Sequence, residues 1–427
     1  MENENGIQGW PVIRPMLGEI LPGGVVYELV QSRSGRGVEL LRWEAESYEI
    51  APQFKESATL YTPDYLHTSL FGATWFAREP AEYGLPSHLF WKVADLFCRY
   101  RGFSRELAAF MTGVVFCSWF PDCCARPMTL CITGDMDQVV KLFRLLRAVC
   151  RRALVVAELS LSLPFILCPT LLINVLKISA RAAGRWRASN YCGAFIPGAR
   201  GTLRNIACTK IIFCETEAAR EVWGPEAMHI ALLPTTQELA ALTEQEEADL
   251  AAEYQPQFLM FRLRNLSSIH RSGAGLCQPK FAGFELRGNL LACIAEDPEI
   301  VKAWTPLLEA HEQELLTRRS RNPGVAAVET VWAPAHKQPE MSTEQITQRV
   351  DALLRKRGEI LPYNSKQIGW KLRELGLDRQ NNGKFKVVRF SREIRSRIHQ
   401  LAAQFGLKLP KVPGCADCEA MQVVAEK

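Results

Sequence analysis

The chain has 427 residues, 48% apolar and 23% charged, so it can bury a full core over two or three domains and is not a disordered polypeptide. Fourteen cysteines in so long a chain do not describe a disulfide-stapled secreted scaffold, and Met1-Glu-Asn-Glu-Asn lacks the basic, apolar start of a secretion signal. A cytoplasmic protein is expected. The net charge of +5 is unevenly placed: residues 341–411 carry +10, the tail 412–427 carries −2, and the first 340 residues carry −3.

In chain order, residues 1–80 read as a small β-rich region. Two apolar runs, Val25–Val30 and Val38–Trp43, flank Ser32–Gly37 and predict a hairpin. Helical spacing follows through Leu89, Val93, Leu96 and Phe97, and again from Leu107 to Trp119. Residues 127–141 then read as a short buried strand, a glycine turn at Gly134 and a helix start. That is the layout of a phosphate-binding loop, G-x-x-x-x-G-K-[ST], whose backbone N–H groups and lysine hold phosphates.

Counted from Gly134, the second glycine position is Val139, the lysine position is Val140 and the hydroxyl position is Lys141. Valine adds a Cβ where only glycine lets such a loop close, and the lysine comes one residue late. A second buried strand, Pro169–Val175, ends in Asn174 and Val175, where an active ATPase would place an acid for magnesium and another to orient water. Asparagine carries no charge for the metal, and valine cannot orient water. No catalytic residue is assigned. Leu159–Leu176 has no charged residue and the length of a membrane helix, but Pro164 and Pro169 break it, and no membrane association is expected.

After the second strand come a basic patch, Arg181–Arg187, a loop or hairpin at Gly193–Gly201 and a strand at Ala207–Glu215. Leu239–Tyr254 reads as an acidic helix, and Phe258–Arg264 as the last strand of the core. In this order the segments over about residues 80–270 resemble bacterial relatives of phage- and plasmid-type primase–helicase ATPases. The resemblance implies an ATP-binding core that drives DNA unwinding, and a terminal DNA-binding module. The departures at Val139, Val140, Asn174 and Val175 imply a branch that has lost hydrolysis.

Helices are expected at 282–318, then a linker from Asn322-Pro-Gly through Lys337. Ser342-Thr-Glu-Gln345 predicts a capping box. Asn364/Ser365 cap a helix with Ile368, Leu372 and Leu375 on one face, and Asn382-Gly383 marks a turn before a strand. This module resembles a winged-helix domain. Lys366, Gln367, Lys371, Arg373, Arg379, Lys384, Lys386 and Arg389 are its candidate nucleic-acid contacts, with Gln367 and Lys371 near bases and the wing cations on phosphates. Cys415-Ala-Asp-Cys418 is a C-x-x-C with His399 upstream, but a closed zinc site needs four ligands and the chain has no second C-x-x-C. The pair reads as tail thiols, and no metal or cofactor is expected.

The expected fold is α/β, a P-loop (RecA/AAA+-like) core with a degenerate nucleotide site, a small β-rich N-terminal region and a C-terminal winged-helix-like domain. Its parts are 1–80, the core 81–270, a helical connector and linker 271–340, the DNA-binding module 341–411 and the tail 412–427. Duplex DNA is the expected partner, with a homo-oligomer or a replication protein besides. An NTPase with a non-standard site built on Lys141, and a protein adaptor with no nucleic-acid role, are the competing readings.

Overall fold

The computed structural model describes residues 12–35, 37–63, 73–123, 127–157, 170–174, 186–187, 195–197, 203–205, 208–215, 223, 227–232, 239–240, 242–276, 297–359, 362–383 and 385–420. Contacts divide the chain into two compact units, Met1–Glu312 and Gln313–Lys427.

The first unit opens with β1 (Val12–Met16), β2 (Glu19–Ile20), β3 (Val26–Gln31), β4 (Val38–Glu44), β5 (Ser47–Ala51), β6 (Phe54–Glu56) and β7 (Thr59–Pro63). Strands β2-β3-β4-β5 form an antiparallel sheet with the expected β3–β4 hairpin, and β1-β7-β6 form a smaller mixed sheet in which β1 runs parallel to β7. Next come α1 (Pro86–Arg101), α2 (Arg105–Ser118), β8 (Thr129–Gly134), α3 (Met136–Val149), β9 (Ala153–Val156) and β10 (Thr170–Ile173). A short antiparallel pair, β11 (Phe195–Pro197) and β12 (Leu203–Asn205), precedes β13 (Thr209–Phe213), β14 (Met228–Leu232) and α4 (Glu244–Leu276).

The five strands β14-β8-β13-β10-β9 make one parallel sheet. Their almost unbroken apolar runs are those of strands covered on both faces. Leu130, Ile132, Leu172, Ile211 and Phe213 enter a core shared with α1–α4. Cys131, Leu171, Ile173 and Ile212 enter a second core with Met16, Tyr27, Phe54 and Tyr61 of the N-terminal strands. The mixed α/β fold is therefore a parallel sheet with helices on one side and β-structure on the other.

Two expectations fail. Phe258–Arg264 is not a strand but lies inside α4, where Tyr254, Phe258, Phe261 and Leu266 recur at helical spacing and are buried. Asn322–Lys337 is not a linker. Asn322 accepts the N–H groups of Gly324 and Val325, Pro323 sits where a missing N–H costs nothing, and a helix runs to Lys337. Most of the apolar run 159–176 and most of the patch 181–187 lie outside the described residues. Among the described residues no helix is long and apolar enough to cross a membrane.

The second unit follows α5 (Pro298–Ser320) with α6 (Pro323–Lys337), β15 (Glu340–Ser342), α7 (Thr343–Lys356), α8 (Ser365–Glu374), β16 (Arg379–Asn381), β17 (Lys386–Arg389), α9 (Arg392–Gln404) and α10 (Ala416–Ala420). The predicted capping box at Ser342/Gln345 is present, and Asn364/Gln367 form another. Strands β15-β17-β16 form an antiparallel sheet, with β16 and β17 joined through Asn382-Gly383. One core joins Val328, Trp332, Ile346, Val350, Ile368, Leu372, Val388 and Ile398.

The first unit contains a buried ionic cluster. Glu28 on β3 accepts from Arg151 Nη2 at 2.6 Å and Arg262 Nε at 2.9 Å, and Arg152 lies 3.4 Å away. Arg262 also clasps Asp122 through two bonds of 2.9 and 2.6 Å. Burial alone would raise the Glu28 pKa, but the three guanidiniums outweigh it and hold it at about 2. Glu28→Ala should cost about 3–5 kcal/mol, because it leaves buried cations without their anion. Since the folded value lies below the ordinary 4.5, this contribution is complete above that value and is lost as pH falls toward 2. Urea unfolding followed across pH should show an acid-side loss in the wild type that Glu28→Gln lacks.

Candidate nucleotide-site remnant and nucleic-acid interface

Strand β8 runs straight into α3 through a turn of one residue, Asp135. Gly134 has φ +138°, and a Cβ there would strike the carbonyl oxygen of Leu232 on neighbouring β14. The glycine therefore serves a close approach between strands. Asp135 caps α3, its carboxylate accepting the N–H of Gln138 at 3.1 Å. Asp137 follows in the first turn. Both carboxylates stand at the positive end of the helix, where a bound phosphate would need to lie. The positions counted as loop are helix: Val139 is fully buried in the core, while Val140 and Lys141 are exposed.

Asn174 follows β10 and extends its pairing, with its N–H on the Val156 carbonyl at 2.9 Å. Its side-chain oxygen is buried and has no hydrogen-bond partner among the described residues. The structure brings Val140 and Asn174 to the walls of one cavity of about 290 Å³, with Phe143, Arg144, Arg147 and Val155. Both arginines are tied to the buried carboxylate of Glu247, at 3.0 and 2.6 Å. The cavity thus offers apolar walls and two arginines that share a single carboxylate, and among the described residues no glycine lines it. Val175 lies outside the described residues.

In the second unit, α8 buries Ile368, Gly369 and Leu372 and exposes Lys366, Gln367, Trp370 and Arg373. Gln367 turns its side-chain oxygen back to accept the Asn364 N–H at 2.9 Å, which orients the side chain toward the cap. Lys371 is half-buried and paired with Glu374 at 2.7 Å. The flexible far end of the Arg379 side chain, from β16, lies against Gly369 of α8, in the space a Cβ there would take. Lys386 and Arg389 are exposed on β17, Arg389 beside Glu340 at 3.3 Å. Lys384 lies outside the described residues.

The sequence reading missed two aromatic side chains among these cations. Trp370 is 56% exposed and Phe385, in the β16–β17 turn, is 52% exposed. Lys366 Nζ stands 5.6 Å from the Trp370 ring centre. Their signal was present: Trp370 falls off the Ile368–Leu372 stripe, and Phe385 sits between two lysines.

No protein-family model and no curated protein matches the chain. Among solved structures, the A form apo structure of the NrS-1 C terminal region is similar over 85% of this chain and 96% of that one. The identity is 8% and the TM-score 0.33, too low to carry an argument about function.

Gly134→Ala tests the reading of the β8–α3 turn. It should lower urea stability by about 1–3 kcal/mol with no nucleotide present, because of the rare φ and the Leu232 contact. A glycine kept only for phosphate would leave that stability unchanged.

Proposed function

We propose that the chain is a DNA-binding protein built on a P-loop-type core that has lost its nucleotide chemistry. Its C-terminal unit is a winged-helix-like module that docks on duplex DNA. The role we infer is accessory or regulatory, in phage-type or mobile-element replication or transcription. The observation that carries the DNA reading is the outward face of α8, with Lys366, Trp370 and Arg373 exposed while Ile368 and Leu372 anchor it. A charge of +10 over residues 341–411 supports it, because phosphate neutralisation supplies most non-specific affinity.

Element order supports the winged-helix reading. Helix α6, strand β15, helices α7 and α8 and the β16–β17 hairpin follow one another as helix, strand, two helices and wing. The core reading draws on sheet order. Numbered along the chain, the parallel strands run fifth, first, fourth, third, second, the order of RecA/AAA+-type P-loop ATPases. The glycine turn follows the first of them, and the positions matching the phosphate lysine and the magnesium acid, Val140 and Asn174, share a cavity. The scaffold reading and the lost chemistry are thus compatible.

A second reading rests on Trp370 and Phe385. Exposed aromatics of this size also suit a protein surface or unstacked bases. Labelled duplex, labelled single strand and the full chain, titrated across a salt series, separate these readings. Duplex binding should be micromolar or tighter and weaken steeply with salt. Lys366→Glu with Lys386→Glu should reduce affinity about tenfold or more and flatten the log–log salt slope by about 0.9 per charge removed. An unchanged slope overturns the assigned face. Affinity no better than that of a neutral control protein supports the adaptor reading. ATP turnover should equal that of Lys141→Ala; turnover that this substitution abolishes would restore the NTPase reading.

A further inference from the structure

The second unit holds a cluster of four metal-ligating side chains. His336 stands near the end of α6, His399 within α9, Cys415 just before α10 and Cys418 on it. One ligand atom from each lies within 4.8 Å of all the others. The separations are 3.3 Å between the two Nε2 atoms and 3.1 Å from His399 Nε2 to Cys418 Sγ. Cys415 Sγ lies 3.6 Å from His399 Nε2, and Cys418 Sγ lies 3.5 Å from His336 Nε2. A tetrahedral zinc with two nitrogens and two sulfurs has N–N edges of about 3.3 Å and N–S edges of about 3.5 Å. Three of the four contacts match those edges to about 0.1 Å, and the His399–Cys418 contact is about 0.4 Å shorter.

Proton bookkeeping points the same way. His336 Nδ1 lies 2.8 Å from the Trp332 carbonyl, and His399 Nδ1 lies 2.7 Å from the Arg395 carbonyl. A carbonyl only accepts, so each Nδ1 carries the hydrogen. Each neutral ring then turns a bare Nε2 lone pair inward, and two such pairs 3.3 Å apart need a cation or thiol protons to face them. Trp332 packs on both rings, with centroids 5.2 and 4.6 Å away, and donates its indole N–H to Pro410 at 2.9 Å. These backbone carbonyls and this indole are the outer contacts that commonly fix the orientation of zinc-binding histidines.

We propose that His336, His399, Cys415 and Cys418 bind one structural zinc ion. Four protein ligands close the coordination sphere, so no position is left for substrate. Two thiolates with two imidazoles select zinc over magnesium or calcium. The ion fastens the chain after α9 to α6 and α9, helices already packed in the same core. The competing arrangement has no metal: each thiol donates its proton to one imidazole.

The test uses the full-length chain, reduced and then mass-analysed for metal. About one zinc per chain is expected, falling below about a tenth in Cys415→Ser and in His399→Gln. Because a ligand variant can misfold, the wild type gives a second readout. Cysteine alkylation mapped by mass spectrometry should spare Cys415 and Cys418 until a chelator is added. Cobalt added to the stripped chain should give the visible bands of a tetrahedral thiolate site. A stripped chain that shows no such bands on adding cobalt overturns the proposal. So does alkylation of both cysteines at equal rates with and without chelator.

Discussion

The first unit depends on one buried carboxylate. Glu28 stands on β3 with the parity of Val26 and Val30, facing the helical side of the molecule, where an isolated charge would be prohibitively costly. It is tolerated because Arg151, Arg152 and Arg262 converge on it from the α3–β9 turn and from α4, and Asp122 takes the second face of Arg262. A hydrophobic contact can slip; this charge set cannot be rearranged without stranding an ion. It therefore fixes the register of the N-terminal sheet against the core. The β-rich region is thereby a layer of the core, not a module attached to it.

A separate set of contacts fixes helix α3. Helix α3 is held at its end by Gln255, which donates to the Ala148 and Cys150 carbonyls, and along its side by Arg144 and Arg147 on Glu247. At its start it meets β8 with only Asp135 between them. A phosphate loop needs backbone that can wrap an anion, and here that backbone has been drawn into the helix. The free N–H groups that would meet phosphate meet carboxylate instead.

Much of this was legible in the sequence. The strand ending at Gly134, the strand Thr170–Ile173, the β3–β4 hairpin, the capping box at Ser342 and the turn at Asn382 rest on local chemistry, and local chemistry is written locally. The failures arose where tertiary structure decides. Phe258–Arg264 is a short apolar run, and such runs do not distinguish strand from buried helix. Asn322-Pro-Gly and Ala333-Pro look like breakers, but Pro323 sits in the first turn, where its missing N–H is harmless. Reading α6 as a linker hid His336, so Cys415 and Cys418 were counted with one histidine when the fold supplies two. Partners 63 and 82 residues apart leave no spacing for a motif to reveal. Nor could the sequence show that Gln367 commits its oxygen to a cap, or that Arg379 rests on Gly369.

Charge is unevenly placed along the chain. The first 340 residues carry −3, and among them Asp135 and Asp137 stand together at the start of α3. A polyanion brought near that surface gains nothing from it and is repelled at close range, over about 8–10 Å at physiological salt. Residues 341–411, at +10, attract the same polyanion, and most of that charge lies on exposed side chains around a small apolar core. Concentrating so many cations on a domain this small adds self-repulsion to an already limited hydrophobic gain. A closed tie between α6, α9 and the segment after them opposes that repulsion without occupying the basic face. Its four side chains lie on α6, α9, α10 and the segment just before α10, so such a tie would not use the side chains of α8.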